Sequence, residues 1–176
     1  MAIPQTAVNF NIPVGIPGEV ATDVPVNAVV RLIHSGGVNP NVFGYAYTET
    51  TYATPGGTNQ TPQSATVGGT GVFAGILLQP KTASSVGGTT GALSTTFNLL
   101  EDSYGTLGNQ GAFFVSLPAA AAIGDHVVYD NTTGALATIA PAASTPVGKT
   151  KIAGARVAYF ALSAAGVGII KITGAN

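Results

Sequence analysis

His34 and His126 are the two side chains of this 176-residue sequence able to exchange protons near neutral pH. A hydrolytic site would need one of them beside a nucleophile, with a third group orienting the ring. Ser35 and Asp125 adjoin them in sequence, but neighbouring residues of a strand project to opposite faces, so neither pair works together. No G-x-S-x-G turn presents a serine. Cysteine is absent, which removes thiol catalysis and cysteine-based zinc sites. Seven carboxylates could supply a glycosidase pair, yet tryptophan is absent and aromatic residues make up only 7%, so a sugar-stacking cleft is hard to build. The acidic doublet Glu101-Asp102 precedes Ser103-Tyr104-Gly105 and reads as a loop or turn. Calcium there would need about six oxygen ligands, and no EF-hand spacing provides them.

Two glycine-bearing stretches imitate nucleotide motifs. Ala143-Ser144-Thr145-Pro146-Val147-Gly148-Lys149-Thr150 fits a relaxed phosphate loop with Ala at the first Gly position. A phosphate loop needs inward-pointing N–H groups, a strand leading in and a helix following. Pro146 lacks an N–H, the residues before it are Ala/Pro-rich coil, and Lys151 to Val157 continues as strand, so a surface loop carrying Lys149 and Lys151 is expected. Gly69-Thr70-Gly71-Val72-Phe73-Ala74 approximates a dinucleotide fingerprint but opens a β-run closed by Pro80, with no strand before it. It reads as a turn entering a strand. No catalytic, cofactor-binding or metal-binding residue is assigned, no cofactor is implied, and enzyme activity is not expected.

The elements around these residues are β-strands. From Val26 to His34 a β-branched run ends at Ser35-Gly36-Gly37, and Val42 to Tyr47 repeats the pattern. Thr48 to Gly71 is polar and Gly/Thr-rich, a long loop or weakly paired hairpin. Val72 to Leu78 is the clearest buried strand, followed by a second polar stretch over 82–91. Ala112 to Leu117, His126 to Tyr129, Ala135 to Ile139, Ala153 to Leu162 and Val167 to Ile172 complete the set, with a hairpin turn at Asp130-Asn131-Thr132-Thr133-Gly134. Pro118 to Ile123 has room for barely one and a half helical turns and is not counted as a helix. Such punctuation predicts an all-β fold, a single compact β-sandwich or β-barrel domain over 26–176.

Residues 1–25 carry Pro4, Pro13, Pro17 and Pro25, which excludes helix and disfavours a central strand. An extended N-terminal arm is expected. Holding Ile3, Phe10, Ile12, Val14 and Ile16, it is too apolar for a free tail and should lie against its own domain or a neighbour. These five residues, with Tyr52 of the first long loop, are the expected partner contacts.

Composition limits what those partners can be. Only 7% of residues are Asp, Glu, Lys or Arg, against about 25% in ordinary soluble domains. A net charge of −1 cannot supply the phosphate contacts of nucleic-acid binding. Every apolar run is interrupted short of the roughly 18 residues of a membrane span, and the start Met1-Ala2-Ile3-Pro4 has no secretory pattern. Neither nucleic acid nor membrane is therefore expected as a partner. A neutral Ala/Gly/Thr-rich surface predicts assembly that covers it.

Several segments resemble the structural cement or capsid decoration proteins of tailed bacteriophages. They are Val14-Gly15-Ile16-Pro17-Gly18-Glu19-Val20, Val42-Phe43-Gly44-Tyr45-Ala46-Tyr47, the run from Gly71 to Lys81, and Ile123-Gly124-Asp125-His126-Val127-Val128-Tyr129-Asp130 leading to Thr133-Gly134. The resemblance implies a β-rich virion protein, made in the host cytoplasm, that binds the outer surface of the head and bridges major capsid protein subunits, with homo-oligomerisation expected. A phage tail or fibre protein is the alternative; it would show repeats, and none is found. A carbohydrate-binding module is weakened by the missing Trp.

Overall fold

A computed structural model describes residues 15–21, 25–37, 40–51, 63–79 and 98–174. Among these, eleven strands form and no helix: β1 (Asn27–Ile33), β2 (Asn41–Val42), β3 (Ala46–Thr51), β4 (Gln63–Val67), β5 (Phe73–Leu77), β6 (Asn98–Leu99), β7 (Ser103–Leu117), β8 (His126–Asp130), β9 (Leu136–Ile139), β10 (Lys149–Ala158) and β11 (Gly166–Ile172). The fold is all-β.

Five strands close on themselves. β1 pairs with β4, β4 with β3, β3 with β5, β5 with β7, and β7 returns to β1. The β1–β4 seam is parallel and short, joining Leu32 to Ser64 and Ile33 to Ala65, while the other pairings are antiparallel. Closure removes the open edges that would template aggregation. The interior is filled by Ile33, Tyr47, Ala65, Val67, Leu77 and Leu107, and the small β2–β6 pair packs Leu99 against them.

The fifteen-residue β7 belongs to two sheets. Its first half pairs with β1 over Ser103–Gln110, and its second half pairs with β11 from Gly111 to Leu117. Beyond β11 the order runs β10, β8, β9, and β9 curls back towards β7. The inner face of this second sheet buries Phe113, Val115, Tyr129, Ile152 and Ile170, and Ala46 and Ile76 of the barrel wall join the same core. Each fully buried large side chain stabilises the fold by about 1.5–3 kcal/mol relative to exposure.

The bend that lets β7 serve both sheets depends on glycine. A Cβ at Gly105 would stand 2.8 Å from Ile33 and Leu77, and one at Gly108 would stand 2.5 Å from the Phe113 ring. The register of β1 against β7 slips beside this point, between Asn27 and Ala28, as a bulge that increases local twist.

Some expected boundaries change. Val42 to Tyr47 is not one strand: it is broken at Phe43-Gly44, where Gly44 turns with φ of 80°, and β3 then continues to Thr51. Thr48 to Gly71 contains the β3–β4 hairpin, paired from Tyr47–Val67 to Thr51–Gln63. Lys149 and Lys151 do not sit in a surface loop; β10 begins at Lys149 and ends at Ala158, so Tyr159 to Leu162 lies past it. Within the expected arm, Gly18 and Ala21 donate backbone hydrogen bonds to Phe114 and Ala112 of β7 at 2.8 Å, and Gly15 lies against the Phe114 ring.

Candidate functional site

The densest polar cluster joins the β1–β2 turn to the Glu101-Asp102 doublet. The Glu101 carboxylate accepts from the N–H groups of Ser35 (2.6 Å) and Gly36 (2.8 Å) and from the Asn41 side-chain amide (2.9 Å). Ser35 Oγ donates to Asn41 Oδ1 at 2.7 Å and accepts from the Val67 N–H at 3.0 Å. Asp102, in a left-handed conformation at φ of 56°, places Oδ1 2.7 Å from His34 Nδ1. Its N–H donates to Ile33 O, so the doublet is stitched to the end of β1.

His34, Glu101 and Asp102 offer three ligand atoms within 4.8 Å, the nearest approach to a metal-binding set among the described residues. The Glu101 oxygens already receive three N–H donors, so a cation there would have to displace bonds that fix the turn. The doublet does form the expected turn, now with a defined task of pinning strand β1 to the barrel mouth. Tyr47 lies fully buried in the barrel, and its hydroxyl has no hydrogen-bond partner among the described residues. Burial, with a smaller push from the Glu101 charge, holds that phenol far above its ordinary pKa. A neutral, enclosed phenol is a packing element.

The other chemical motifs resolve into strands and turns. Ala140 to Gly148 is an exposed loop running into β10, with Val147 fully exposed at its end. Gly68 to Gly71 turns the chain into β5. His126 begins β8, and its pKa is lowered by desolvation and then by Lys151 and Arg156, with Asp125 opposing. Asp125 instead turns to the loop before β8, where it accepts from the Ala122 N–H at 2.8 Å.

What the surface offers is apolar contact. β1 and β7 lie in register with Leu32 opposite Tyr104 and Val30 opposite Thr106. Val29, Ile33 and Leu107 point into the barrel, so Val30 and Tyr104 stand on its outer wall, 59% and 68% exposed. Beside Tyr104 runs a groove of about 240 Å3 lined by Val20, Phe43, Leu78, Leu99 and Gly105, with Leu100 exposed next in sequence. Of the expected partner residues, Ile16 is half-exposed in the segment that crosses β7. Ile3, Phe10, Ile12, Val14 and Tyr52 lie outside the described residues. Sequence reasoning did not find the groove, because Val20, Leu78, Leu99 and Tyr104 converge from four separate segments.

Comparisons agree with this reading. No curated protein sequence matches the chain. A solved chain from "The capsid of Myoviridae Phage XM1" superposes with a TM-score of 0.58 at 17% identity, covering 100% of both chains, which shows a shared fold. The family model described as structural cement protein (E217 gp24/Pam3 gp6) matches residues 3–174. Nothing in the comparisons supports a tail or fibre protein. With nearly its whole length matched, the chain belongs to the structural cement protein family of phage capsids, whose role is to stabilise the shell.

Proposed function

We propose that the chain binds the outer surface of the phage head and joins neighbouring major capsid protein subunits by surface contact, with no chemical step. The observation that carries this reading is the outer wall of the barrel, where Val30, Tyr104 and Leu100 stand exposed around an apolar groove on a chain with only 7% charged residues. Exposed large apolar residues beside a groove mark interaction surfaces. A stable contact buries about 1,200 to 2,000 Å2 in total. The proposed contact joins the groove side to the N-terminal arm, with Ile3, Phe10, Ile12, Val14 and Ile16, and to Tyr52. Association of the chain with itself on the shell would cover further neutral surface.

The test is a map of heads that were stripped of the chain and then incubated with it. Density on the outside of the shell, contacting two or more capsid subunits through the Tyr104 face or the arm, is the expected result. Density at the tail, inside the shell, or confined to one capsid subunit would overturn the assignment.

A further inference from the structure

Four of the six basic residues of the sequence lie on two adjacent strands: Lys149, Lys151 and Arg156 on β10, and Lys171 on β11. Ile152, Ala155, Val157, Ile170 and Ile172 are buried in the larger core, so Lys151, Arg156 and Lys171, all exposed, point outward. The register sets Arg156 directly opposite Lys171 on one side and His126 on the other. With neighbouring strands about 4.8 Å apart, Lys171, Arg156 and His126 form a row about 10 Å long across β11, β10 and β8, in which Lys171 and Arg156 carry the charge and Lys151 lies farther along the same face. The register shift between Lys151 and Arg156 is what puts both on one face despite their odd spacing.

Like charges placed directly opposite on paired strands weaken a sheet. Among the described residues no carboxylate forms an ion pair with Lys149, Lys151, Arg156 or Lys171, although Asp130 attracts Lys149 and Asp125 attracts His126 from farther away. The nearby carboxylates are committed to turns: Asp125 to the Ala122 N–H, and Asp130, in register with Lys149, to the N–H groups of Thr132 and Thr133 at 2.9 Å. Arg156 donates to the Gly124 carbonyl at 3.2 Å, which orients the guanidinium without neutralising it. The row also adjoins the N-terminal segment, since Lys171 lies opposite Ala112, to which Ala21 donates a hydrogen bond. A sequence that uses so few charges places four of its six cations on two adjacent strands, three of them exposed on one sheet face.

We propose that the Lys151–Arg156–Lys171 face docks an acidic protein surface, which, resting on the shell-binding reading above, is a carboxylate-rich patch of the capsid subunit. Charge complementarity of this kind fixes orientation and speeds encounter. A nucleic acid fits less well, because Asp125 and Asp130 flank the row and the whole chain carries a net charge of −1.

The test uses the full chain, stripped heads and the variant R156E/K171E, whose two positions still repel each other as in the parent, so that a change in binding reports the partner. The neutral R156Q/K171Q serves where the reversal lowers the melting temperature. The expected result is binding at least about tenfold weaker for both variants, and a parent affinity that falls as NaCl rises from about 50 to about 500 mM. If the parent binds heads but neither charge nor salt matters, the inference is overturned while the cement reading stands. If the parent does not bind heads at all, the cement reading fails with it. Retention of the parent, but not the variants, on a duplex DNA fragment would replace the acidic protein with a nucleic acid and overturn the proposal.

Discussion

Replacing Glu101 with alanine removes the acceptor that holds the β1–β2 turn. Three donors lose their partner: the Ser35 and Gly36 N–H groups and the Asn41 amide. Gly36 is exposed, so water replaces its bond at little cost, whereas Asn41 is only 3% exposed and Ser35 is part-buried. Buried hydrogen bonds to a charged group contribute about 1.5–3 kcal/mol each, but the Glu101 side chain is 29% exposed, and solvent screening brings the value just below that range. Two such bonds at about 1.25 kcal/mol each give a loss of about 2.5 kcal/mol. For a chain of this size that lowers the melting temperature by about 5 to 10 °C. E101Q keeps one acceptor for the backbone donors and loses the Asn41 bond, so about 2 to 4 °C is expected. Calorimetry or thermal circular dichroism reads both. An E101A protein melting within about 1 °C of the parent would show that the carboxylate does not hold the turn.

Three further outcomes follow from the same geometry. Gly108→Ala should destabilise by about 1–3 kcal/mol in urea unfolding, because its Cβ meets the Phe113 ring at 2.5 Å; an unchanged midpoint would mean that β7 bends elsewhere. The His126 pKa is lowered in the fold, so the unfolded chain binds more protons and stability falls as pH drops through 6.5 towards the folded value; NMR titration should find it below 6.5, and R156Q should raise it. Deleting residues 1–21 should lower the melting temperature by removing the Gly18 and Ala21 bonds to β7, while deleting 1–14 should weaken head binding without lowering it; equal melting of both deletions would contradict the role given to 15–21.

How much of this was legible in the sequence depended on whether the signal was local. β1 and β5 carry β-branched and apolar runs bounded by Gly or Pro, and both were read to within about two residues. The first half of β7 was not, because Gly105, Gly108 and Gly111 there serve the bend and the close approach of Ile33 and Phe113 rather than strand propensity. Lys149 and Lys151 were assigned to a loop because Pro141 and Pro146 precede them, although pairing with β8 starts at Lys149 itself. The His34–Asp102 contact spans 68 residues and the Ser35–Glu101 bond 66, distances at which residue spacing carries no information. The cation row depends on an antiparallel register and a bulge, neither of which shows in the spacing of Lys151, Arg156 and Lys171.

The most direct test of a shell-stabilising role is the temperature at which packaged DNA escapes from heads, followed with a DNA-binding dye, for native heads, stripped heads and stripped heads supplied with the purified chain. A shell-stabilising role predicts that stripping lowers the release temperature and that adding back the chain restores it, with the Tyr104→Ala protein restoring it less. Stripped heads that release DNA at the native temperature, or that are unaffected by added chain, would contradict it.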